Sequence, residues 1–426
     1  RGLGDVYKRQ EKKRVVVTGL GALTPIGNNV DDYWKNLIAG KSGADDITKF
    51  DAELFKTKFA CEVTGFDPLE IMDRKEVRKM DLFSIYAMAT AHEAINDSKL
   101  DLETVNLNRA GVVWGSGIGG MKTFQEESFN YKEGDGTPKF NPFFVPKMIV
   151  DIAAGHISIK YGLKGPNYAT VSACASSTNA IIDAMMLIQL GKSDFIVTGG
   201  SEAGVNITGI GGFNALRALS TRNDNPQTAS RPFDATRDGF VLGEGSGCLI
   251  LEELEHAKAR GAKIYAEVVG GGLTADAHHI TAPHPDGLGA INVMRLSLED
   301  AGMSPEDIDY INVHGTSTPL GDIAETKAIK EVFGDHAYNL NISSTKSMTG
   351  HLLGAAGAIE AIASIKAVQE GIIPPTINFE HEDENIDYNL NLTLNKAQKR
   401  TVNAALSNTF GFGGHNSSVI VKKYND

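Results

Sequence analysis

The chain has 426 residues and a formal net charge of −12, with 42% hydrophobic and 22% charged residues. This length accommodates one large or two medium domains, and the composition is typical of a soluble globular protein. The acidic balance argues against nucleic acid as the main partner, and no uncharged apolar stretch approaches the ~18 residues that a membrane span requires. Three cysteines in no metal-ligand spacing argue against a metal site and disulfides, and predict a reducing, cytoplasmic location.

The first residues, 1–11, differ from the rest of the chain. They are basic, lack a hydrophobic period and precede a clear strand pattern that begins at Arg14. We interpret them as a non-native or disordered remnant and exclude them from the fold prediction.

After this segment strands and helices alternate, which is the pattern of an α/β fold. The predicted strands are 15–18, 111–114, 168–171, 194–199, 247–251, 266–270, 310–313, 341–344, 404–406 and 418–422. The predicted helices are 31–39, 81–98, 149–161, 178–190, 254–260, 289–301, 322–333 and 354–370. No Pro-rich or Ser-rich linker divides the chain.

A weak internal repeat relates the two halves of the chain. The strand and small-residue loop at 109–117 have the same form as 310–317, and the strand, loop and helix around Cys174 have a counterpart that starts at Asn341. Two similar halves with polar residues at strand-to-helix loops would face those loops into one shared site. We therefore predict an N-terminal half, 12–262, and a C-terminal half, 263–426.

Cys174 is the candidate nucleophile. It lies between a loop and an apolar run that ends at Gly191, with Ser172 as the predicted helix cap. A cysteine in the first turn of a helix meets unpaired N–H groups and the positive end of the helix dipole, which should lower its pKa below about 8.5. The other two cysteines lie in strand patterns and are predicted to be small core residues: Cys61 and Cys248.

Two histidines occupy matching positions. His314 and His351 each follow an apolar strand and precede a helix, among Gly, Ser and Thr rather than bulky residues. A single histidine is usually structural, but this pairing indicates shared chemistry. Neutral imidazoles can donate hydrogen bonds to a developing oxyanion if neighbours fix their other ring nitrogens. Three more histidines, at 278, 279 and 284, are predicted to be solvated or near the site entrance.

The segment Gly115-Ser-Gly-Ile-Gly-Gly120 fits the dinucleotide-binding pattern after a strand. A nucleotide site of that kind also requires an acidic residue at the end of a further strand about 20 residues later. The chain instead continues to a loop at 134–138, so nicotinamide binding is not predicted.

These motifs resemble those of the elongating β-ketoacyl-acyl carrier protein synthases, which have a thiolase fold, and most closely those of the synthase II type. The resemblance covers about 12–423, and its most specific motifs are Ser172-Ala-Cys-Ala-Ser176, His314-Gly-Thr-Ser-Thr-Pro319, Lys346-Ser-Met-Thr-Gly-His351 and Asn408-Thr-Phe-Gly-Phe-Gly-Gly414. It implies a five-layered αβαβα architecture built from the two pseudo-repeated halves. One departure is His415, where the family has Thr.

The resemblance implies a decarboxylating Claisen condensation in fatty acid elongation. Cys174 would take the acyl chain from acyl carrier protein as a thioester. His314 and His351 would donate hydrogen bonds to the malonyl thioester carbonyl while carbon dioxide leaves, and the carbanion would attack the acyl-cysteine to give a 3-ketoacyl product.

Supporting roles are implied for four more residues. Lys346 would support the site electrostatically, with Glu325 and Glu360 as candidate partner acids. An acid on the apolar helix that carries Glu360 is not expected to be unpaired. Ile118 resembles the residue that shapes the acyl pocket in synthase II.

The resemblance also assigns the groups around the reacting carbonyls. The backbone N–H groups of Cys174 and Phe412 would form an oxyanion hole, and Phe410 and Phe412 a gate between the acyl and malonyl sites. Thr316 and Thr318 would bind the malonyl group and pantetheine.

One dense basic patch stands out on this acidic chain. Lys75, Arg78 and Lys79 are spaced to share one face of a helix. A solvated face is the simplest interpretation, whereas the resemblance implies that these residues and Arg217 dock the acidic helix of the carrier protein.

The resemblance further implies a homodimer, no cofactor beyond the phosphopantetheine of the carrier protein, and no metal. Two alternatives stay open: a ketosynthase of a specialised type II polyketide or aryl polyene pathway, and a non-decarboxylating thiolase. A thiolase requires a second cysteine near the C-terminus, and the chain has none after Asn403. An initiating synthase would have Asn at position 351, and a chain-length factor would lack Cys174.

Overall fold

The computed structural model describes residues 12–425, so the interpretation of 1–11 lies outside the described residues. The strands of the main sheet are β1 (Val15–Leu23), β2 (Ala110–Gly115), β3 (Asn167–Thr170), β4 (Phe195–Glu202), β5 (Gly245–Glu253), β6 (Ala266–Ala275), β7 (Tyr310–Asn312), β8 (Asn341–Ser343), β9 (Ala404–Gly411) and β10 (His415–Lys422). Each overlaps one of the predicted strands.

The helices surround this sheet and fill its middle. They are α1 (Val30–Ile38), α2 (Arg74–Arg78), α3 (Leu82–Ser98), α4 (Met121–Glu133), α5 (Phe144–Met148), α6 (Ile152–Tyr161), α7 (Ser176–Gln189), α8 (Ile207–Ala215), α9 (Leu254–Ala259), α10 (Leu288–Ala301), α11 (Pro319–Phe333), α12 (Lys346–Thr349) and α13 (Ala356–Glu370). All eight predicted helices are present. None of the helices described is both long enough and apolar enough to cross a bilayer.

The strand order confirms the predicted repeat. Across the sheet it runs β8-β7-β9-β10-β6-β1-β5-β4-β2-β3. The first half contributes β3-β2-β4-β5-β1 and the second β8-β7-β9-β10-β6, which is the same order when each half is numbered separately. The parallel and antiparallel pairings also correspond. The two halves meet where Val15, Val16 and Val17 of β1 pair with β6.

The packing of the helices produces the predicted five layers. Helices α7 and α13 lie between the half-sheets and contact strands of both. Helices α3 and α6 cover the outer face of the first half-sheet, and α10, with α11 packed beside it, covers the second. Because α13 is enclosed on all sides, nearly every one of its side chains is buried, as its continuous apolar sequence requires. The predicted boundary at residues 262 and 263 falls between α9 and β6 and stays a prediction.

Several elements differ from the sequence-based assignment. Strand β9 continues to Gly411 through buried polar residues, because Thr409 hydrogen-bonds to Thr178 (2.8 Å) and Asn408 donates to Glu325 (3.3 Å). Helices α4 and α8 were not predicted. Helix α8 is rich in glycine, which disfavours helix formation in isolation. Tertiary contacts and a side-chain cap from Asn206 hold it in place.

Candidate active site

Cys174 lies in a 3-10 turn, Ala173–Ala175, that connects β3 to α7. The residue before it, Ala173, has a left-handed backbone (φ 50°). The second half repeats this turn between β8 and α13 as Leu353–Ala355, again with φ 50° at its first residue. Gly354 is therefore the counterpart of Cys174, and the two turns contact each other where the halves meet.

The local capping differs from the prediction. Ser172 makes no side-chain cap bond, so its predicted role is wrong. The hydroxyl of Ser176 instead accepts from the N–H of Ser172 (3.0 Å) and donates to the carbonyl of Ala173 (2.7 Å). Helix α7 starts only at Ser176, because the left-handed residue in the turn prevents an earlier start. Gly191 follows the helix with φ 68°, as predicted for a residue that ends it.

The fold brings the candidate nucleophile and both candidate histidines together. Nε2 of His351 lies 3.0 Å from Sγ of Cys174. The ring of His314 stands perpendicular to that of His351, with centroids 5.2 Å apart. The ring of Phe240 packs against His351 at 5.3 Å. A thiol, two imidazoles and an apolar wall therefore share one space.

The protonation state of Cys174 is the opposite of the sequence-based prediction. Burial raises the pKa of the Cys174 thiol to about 12, although Lys346 and backbone N–H groups of Phe412 and Cys174 oppose the shift. Desolvation penalises the thiolate more than these groups stabilise it. Cys174 is therefore a protonated thiol in the free protein, next to a nitrogen that can accept its proton.

Both histidines are neutral. Burial, reinforced by the charge of Lys346, holds the pKa of His314 and of His351 well below the usual value. Within the described residues, neither Nδ1 atom has a hydrogen-bond partner, so no protein group fixes which nitrogen of either ring carries the proton. Either ring can therefore carry its proton on Nδ1 or on Nε2.

The buried charges around the histidines have separate partners. Lys346 and Glu360, both about 1% exposed or less, form an ion pair. Burial raises the pKa of Glu360, and the ammonium of Lys346 opposes that shift. Glu325 instead accepts the backbone N–H groups of His314 (2.9 Å) and Gly315 (2.8 Å), so it fixes the His314 loop.

The turn between β9 and β10 closes over the thiol. The backbone N–H of Phe412 hydrogen-bonds to Sγ of Cys174, and its role in an oxyanion hole stays a prediction. A side chain at position 411 would start 2.8 Å from the carbonyl of Ser172, so only glycine permits this approach. The ring of Phe410 lies 5.6 Å from that of His314.

A cavity of about 620 Å³ joins these groups. Its lining includes the predicted residues Cys174, His314, His351, Phe410, Phe412, Thr316, Thr318, Ile118, Glu325 and Arg217. The hydroxyls of Thr316 and Thr318 lie 3.0 Å apart, and Arg217 is exposed at the edge of the cavity. His284 also lines it, in agreement with a position near the entrance.

Other predicted residues lie elsewhere. Lys75, Arg78 and Lys79 are exposed on α2 and at its end, and they do not line the cavity. Cys61 and Cys248 are buried core residues, as predicted.

Glu202 was not among the residues predicted from the sequence. This carboxylate accepts hydrogen bonds from the backbone N–H groups of Gly117, Ile118 and Gly119. A phosphate in a dinucleotide site would need these same N–H groups. One feature of the sequence could have identified this residue. An acid follows Gly-Gly-Ser at the end of an apolar strand, and at that position its side chain has no contact with water.

Two family models cover most of the chain. The β-ketoacyl synthase N-terminal domain matches residues 12–257, and the C-terminal domain matches residues 265–380. The chain belongs to the β-ketoacyl synthase family. This membership agrees with the repeated topology and with the positions of Cys174, His314 and His351 around one cavity.

Known members of the family match this β-ketoacyl synthase over nearly its whole length. It is 51% identical over 414 residues to the 3-oxoacyl-[acyl-carrier-protein] synthase 2 of Synechocystis sp., which covers 97% of this chain and 99% of that protein. A β-ketoacyl synthase structure from Burkholderia phymatum has a TM-score of 0.90 at 36% identity and covers 97% of this chain and 100% of that one. A type II PKS acyl-carrier protein in complex with its ketosynthase gives a TM-score of 0.88 at 33% identity, with the same coverage. The predicted thiolase-like fold is confirmed.

Proposed function

We propose that this β-ketoacyl synthase is an acyltransferase of the 3-oxoacyl-[acyl-carrier-protein] synthase 2 type, which condenses acyl and malonyl thioesters in fatty acid elongation. The observation that carries the proposal is the 3.0 Å contact between Cys174 Sγ and His351 Nε2 beside a second neutral imidazole. The relatives of that name are the most identical of the proteins compared above.

The first half-reaction is acyl transfer. As Sγ of Cys174 attacks the incoming thioester, its proton passes to Nε2 of His351. The bond between the acyl carbon and the carrier sulfur breaks, and that sulfur leaves with the proton. The N–H groups of Cys174 and Phe412 stabilise the tetrahedral oxyanion, and one such donor typically contributes about 10²–10³ in rate.

The second half-reaction is decarboxylative condensation. The malonyl carbonyl accepts hydrogen bonds from His314 and His351 while the bond to the carboxylate breaks and carbon dioxide leaves. The enolate carbon then attacks the acyl-cysteine, the bond between the acyl carbon and Sγ breaks, and the Cys174 thiolate that leaves takes up a proton from water. His351 accepts at Nε2 in one half-reaction and donates there in the other, so its neutral ring takes part as each of its two tautomers.

Acyl carrier protein is the proposed donor of both thioesters, through its phosphopantetheine. The relative from Synechocystis carries that carrier in its name, and a ketosynthase of the same fold is solved in complex with one. Thr316 and Thr318 are the proposed contacts of the pantetheine arm. Arg217 and the basic patch on α2 are the proposed docking surface for the acidic helix of the carrier.

A homodimer is proposed from the edge of the sheet. Strand β3 is the last in the sheet order, and Tyr168 and Val171 beside it are 37% and 59% exposed. Met186 on the neighbouring helix α7 and Leu190 just after it are exposed as well. An open strand with apolar neighbours is a surface that a second copy can cover. The cytoplasm stays the predicted location.

A ketosynthase of a specialised polyketide pathway is the second candidate, because the solved carrier complex is of that class. Its identity is 33%, against 51% for the synthase 2 relative. A thiolase is disfavoured because Cys174 is the one cysteine among the described residues that line the cavity.

The test is to incubate the protein with acyl-carrier proteins of graded chain length and then with malonyl-carrier protein. Mass spectrometry should show the acyl group on Cys174, followed by 3-ketoacyl-carrier protein and release of carbon dioxide. Saturated acyl chains of several lengths should be accepted. Condensation restricted to polyene or polyketide intermediates would favour the specialised pathway, and an acyl-cysteine that never reacts with malonyl-carrier protein would reject both candidates.

A further inference from the structure

Glu202 is a buried acid that is not among the reacting groups described above, although its charge contributes to the raised pKa of Cys174. It ends β4 and its side chain is completely buried. Its oxygens accept hydrogen bonds from the hydroxyl of Ser116 (3.0 Å) and from the N–H groups of Gly117 (2.7 Å), Ile118 (3.1 Å), Gly119 (3.3 Å) and Gly354 (3.0 Å). So many donors on one carboxylate hold three consecutive loop residues in a single position.

The carboxylate connects two cavity walls that come from different halves of the chain. Ile118 lies in the loop after β2, and Leu353 lies in the turn that precedes α13. Both line the cavity and pack in the same apolar cluster as Cys174. One oxygen of Glu202 binds the N–H of Gly117, next to Ile118, and the N–H of Gly354, next to Leu353.

The approach between these two walls is close. A side chain on Gly354 would start 2.3 Å from the nitrogen of Gly117 and 2.6 Å from the Glu202 carboxylate. Neither distance is sterically possible, so only glycine fits at position 354. Its absent side chain lets the two walls meet at the Glu202 carboxylate. The His314 loop is held in a similar way, since Glu325 binds two of its N–H groups.

We propose that Glu202 is a positioning residue that fixes the Ile118 and Leu353 walls of the acyl cavity and thereby sets how acylation of Cys174 depends on chain length. The proposal rests on the acyl transfer proposed above. Each methylene of the acyl chain that contacts a fixed wall makes the binding free energy more favourable. A mobile wall makes this contribution smaller. A short chain has fewer methylenes to make these contacts, so we expect longer chains to depend more on the carboxylate.

The test compares acylation of Cys174 by four-carbon and sixteen-carbon acyl-carrier proteins in wild type and Glu202→Gln. The amide replaces one acceptor oxygen with a donor that faces N–H groups. We expect kcat/KM for the long chain to fall about tenfold and that for the short chain to stay within about twofold. Ile118→Phe, which blocks the same wall directly, should shift the length dependence in the same direction.

Two further variants separate positioning from general stability. Ser116→Ala removes one donor to Glu202 and should give the same pattern at about threefold. Glu252→Gln alters an equally buried acid on β5 that binds Thr18, His256 and Arg260, away from the cavity. It should lower thermal stability and leave the length dependence unchanged.

Equal losses for both chain lengths in Glu202→Gln, or no loss for either, would overturn the proposal. Should Glu202→Gln not fold, Ser116→Ala decides by the same criterion. A wild-type protein that forms no acyl-cysteine with any acyl-carrier protein would instead contradict the proposed function, because that outcome does not involve Glu202.

Discussion

At the scale of single residues, the site depends on His351. Its Nε2 contacts the Cys174 thiol and its ring faces His314, which is why both proposed half-reactions involve it. Burial keeps both imidazoles neutral and the positive charge of Lys346 reinforces this, while Glu360 balances that charge. A buried ammonium without its acid is strongly destabilising, which explains why an acid interrupts the apolar helix α13.

Replacement of single site residues should separate the half-reactions. Cys174→Ala should abolish acyl transfer and condensation, while malonyl decarboxylation persists because both histidines remain. His314→Ala should keep acylation and lose decarboxylation by about 10²–10³-fold, the usual effect of removing one oxyanion donor. Carbon dioxide release and the mass of the Cys174 peptide measure the two activities. Wild-type condensation by Cys174→Ala would show that the nucleophile is another group.

The pKa of Cys174 gives a second test at this scale. Because burial raises this pKa to about 12, the thiolate fraction is small at neutral pH and grows as pH rises. Alkylation of Cys174 by iodoacetamide should therefore increase about tenfold per pH unit between pH 7 and 9. Peptide mass spectrometry measures the rate, with buried Cys61 and Cys248 as internal controls. A rate that is already constant above pH 7 would contradict the raised pKa and restore the sequence-based prediction.

At the scale of elements, α2 is short and depends on its cap. Asp73 accepts the N–H groups of Lys75 (2.7 Å) and Glu76 (2.8 Å), and Glu76 accepts the N–H of Asp73 in return (3.1 Å). This capping box satisfies the first turn, so three exposed cations can project from so short a helix. In the proposed function, these three cations dock the carrier protein.

Replacement of Lys75, Arg78 and Lys79 with Ala should weaken apparent affinity for acyl-carrier protein by about tenfold at low salt. The defect should shrink as salt screens the wild-type attraction, and reaction with a small acyl thioester should stay near wild type. A matched variant removes three exposed lysines elsewhere, Lys396, Lys399 and Lys423. Equal defects in both variants, or with both substrates, would exclude docking by α2.

At the scale of the whole molecule, the site exists because two copies of one topology meet. The first half supplies the Cys174 turn and the second supplies both histidines, and α7 and α13 carry the two turns side by side. The same strand order in each half places these turns at equivalent positions. The open edge at β3 is where the sheet can continue into a second copy.

Val171→Lys should disrupt the proposed homodimer. A lysine beside the edge strand places a charge on an apolar surface that, in the proposed homodimer, would meet its own copy across a two-fold axis. Light scattering should report the mass of one chain at concentrations where the wild type has the mass of two. Leu54→Lys, at a site 98% exposed on another surface, is the control and should leave the mass unchanged. A wild-type protein with the mass of one chain would contradict the homodimer.

The sequence by itself determined the local structure and the chemical residues. All ten strands of the sheet and eight helices followed from hydrophobic periodicity, because that signal is carried by residues close together in the chain. The repeat of the two halves could also be predicted, because it too is carried by local sequence patterns. The motifs around Cys174, His314 and His351 identified the three groups that meet in the cavity.

Only the tertiary structure decided the electrostatics and the supporting contacts. The pKa of Cys174 rises because residues from both halves bury it, and a motif carries no information about burial. Glu202 stands 84 to 86 residues from most of its donors and 152 from Gly354, so no local pattern connects them. Polar residues at a strand end, such as Asn408 and Thr409, are recognisable only when their partners across the layers are in place.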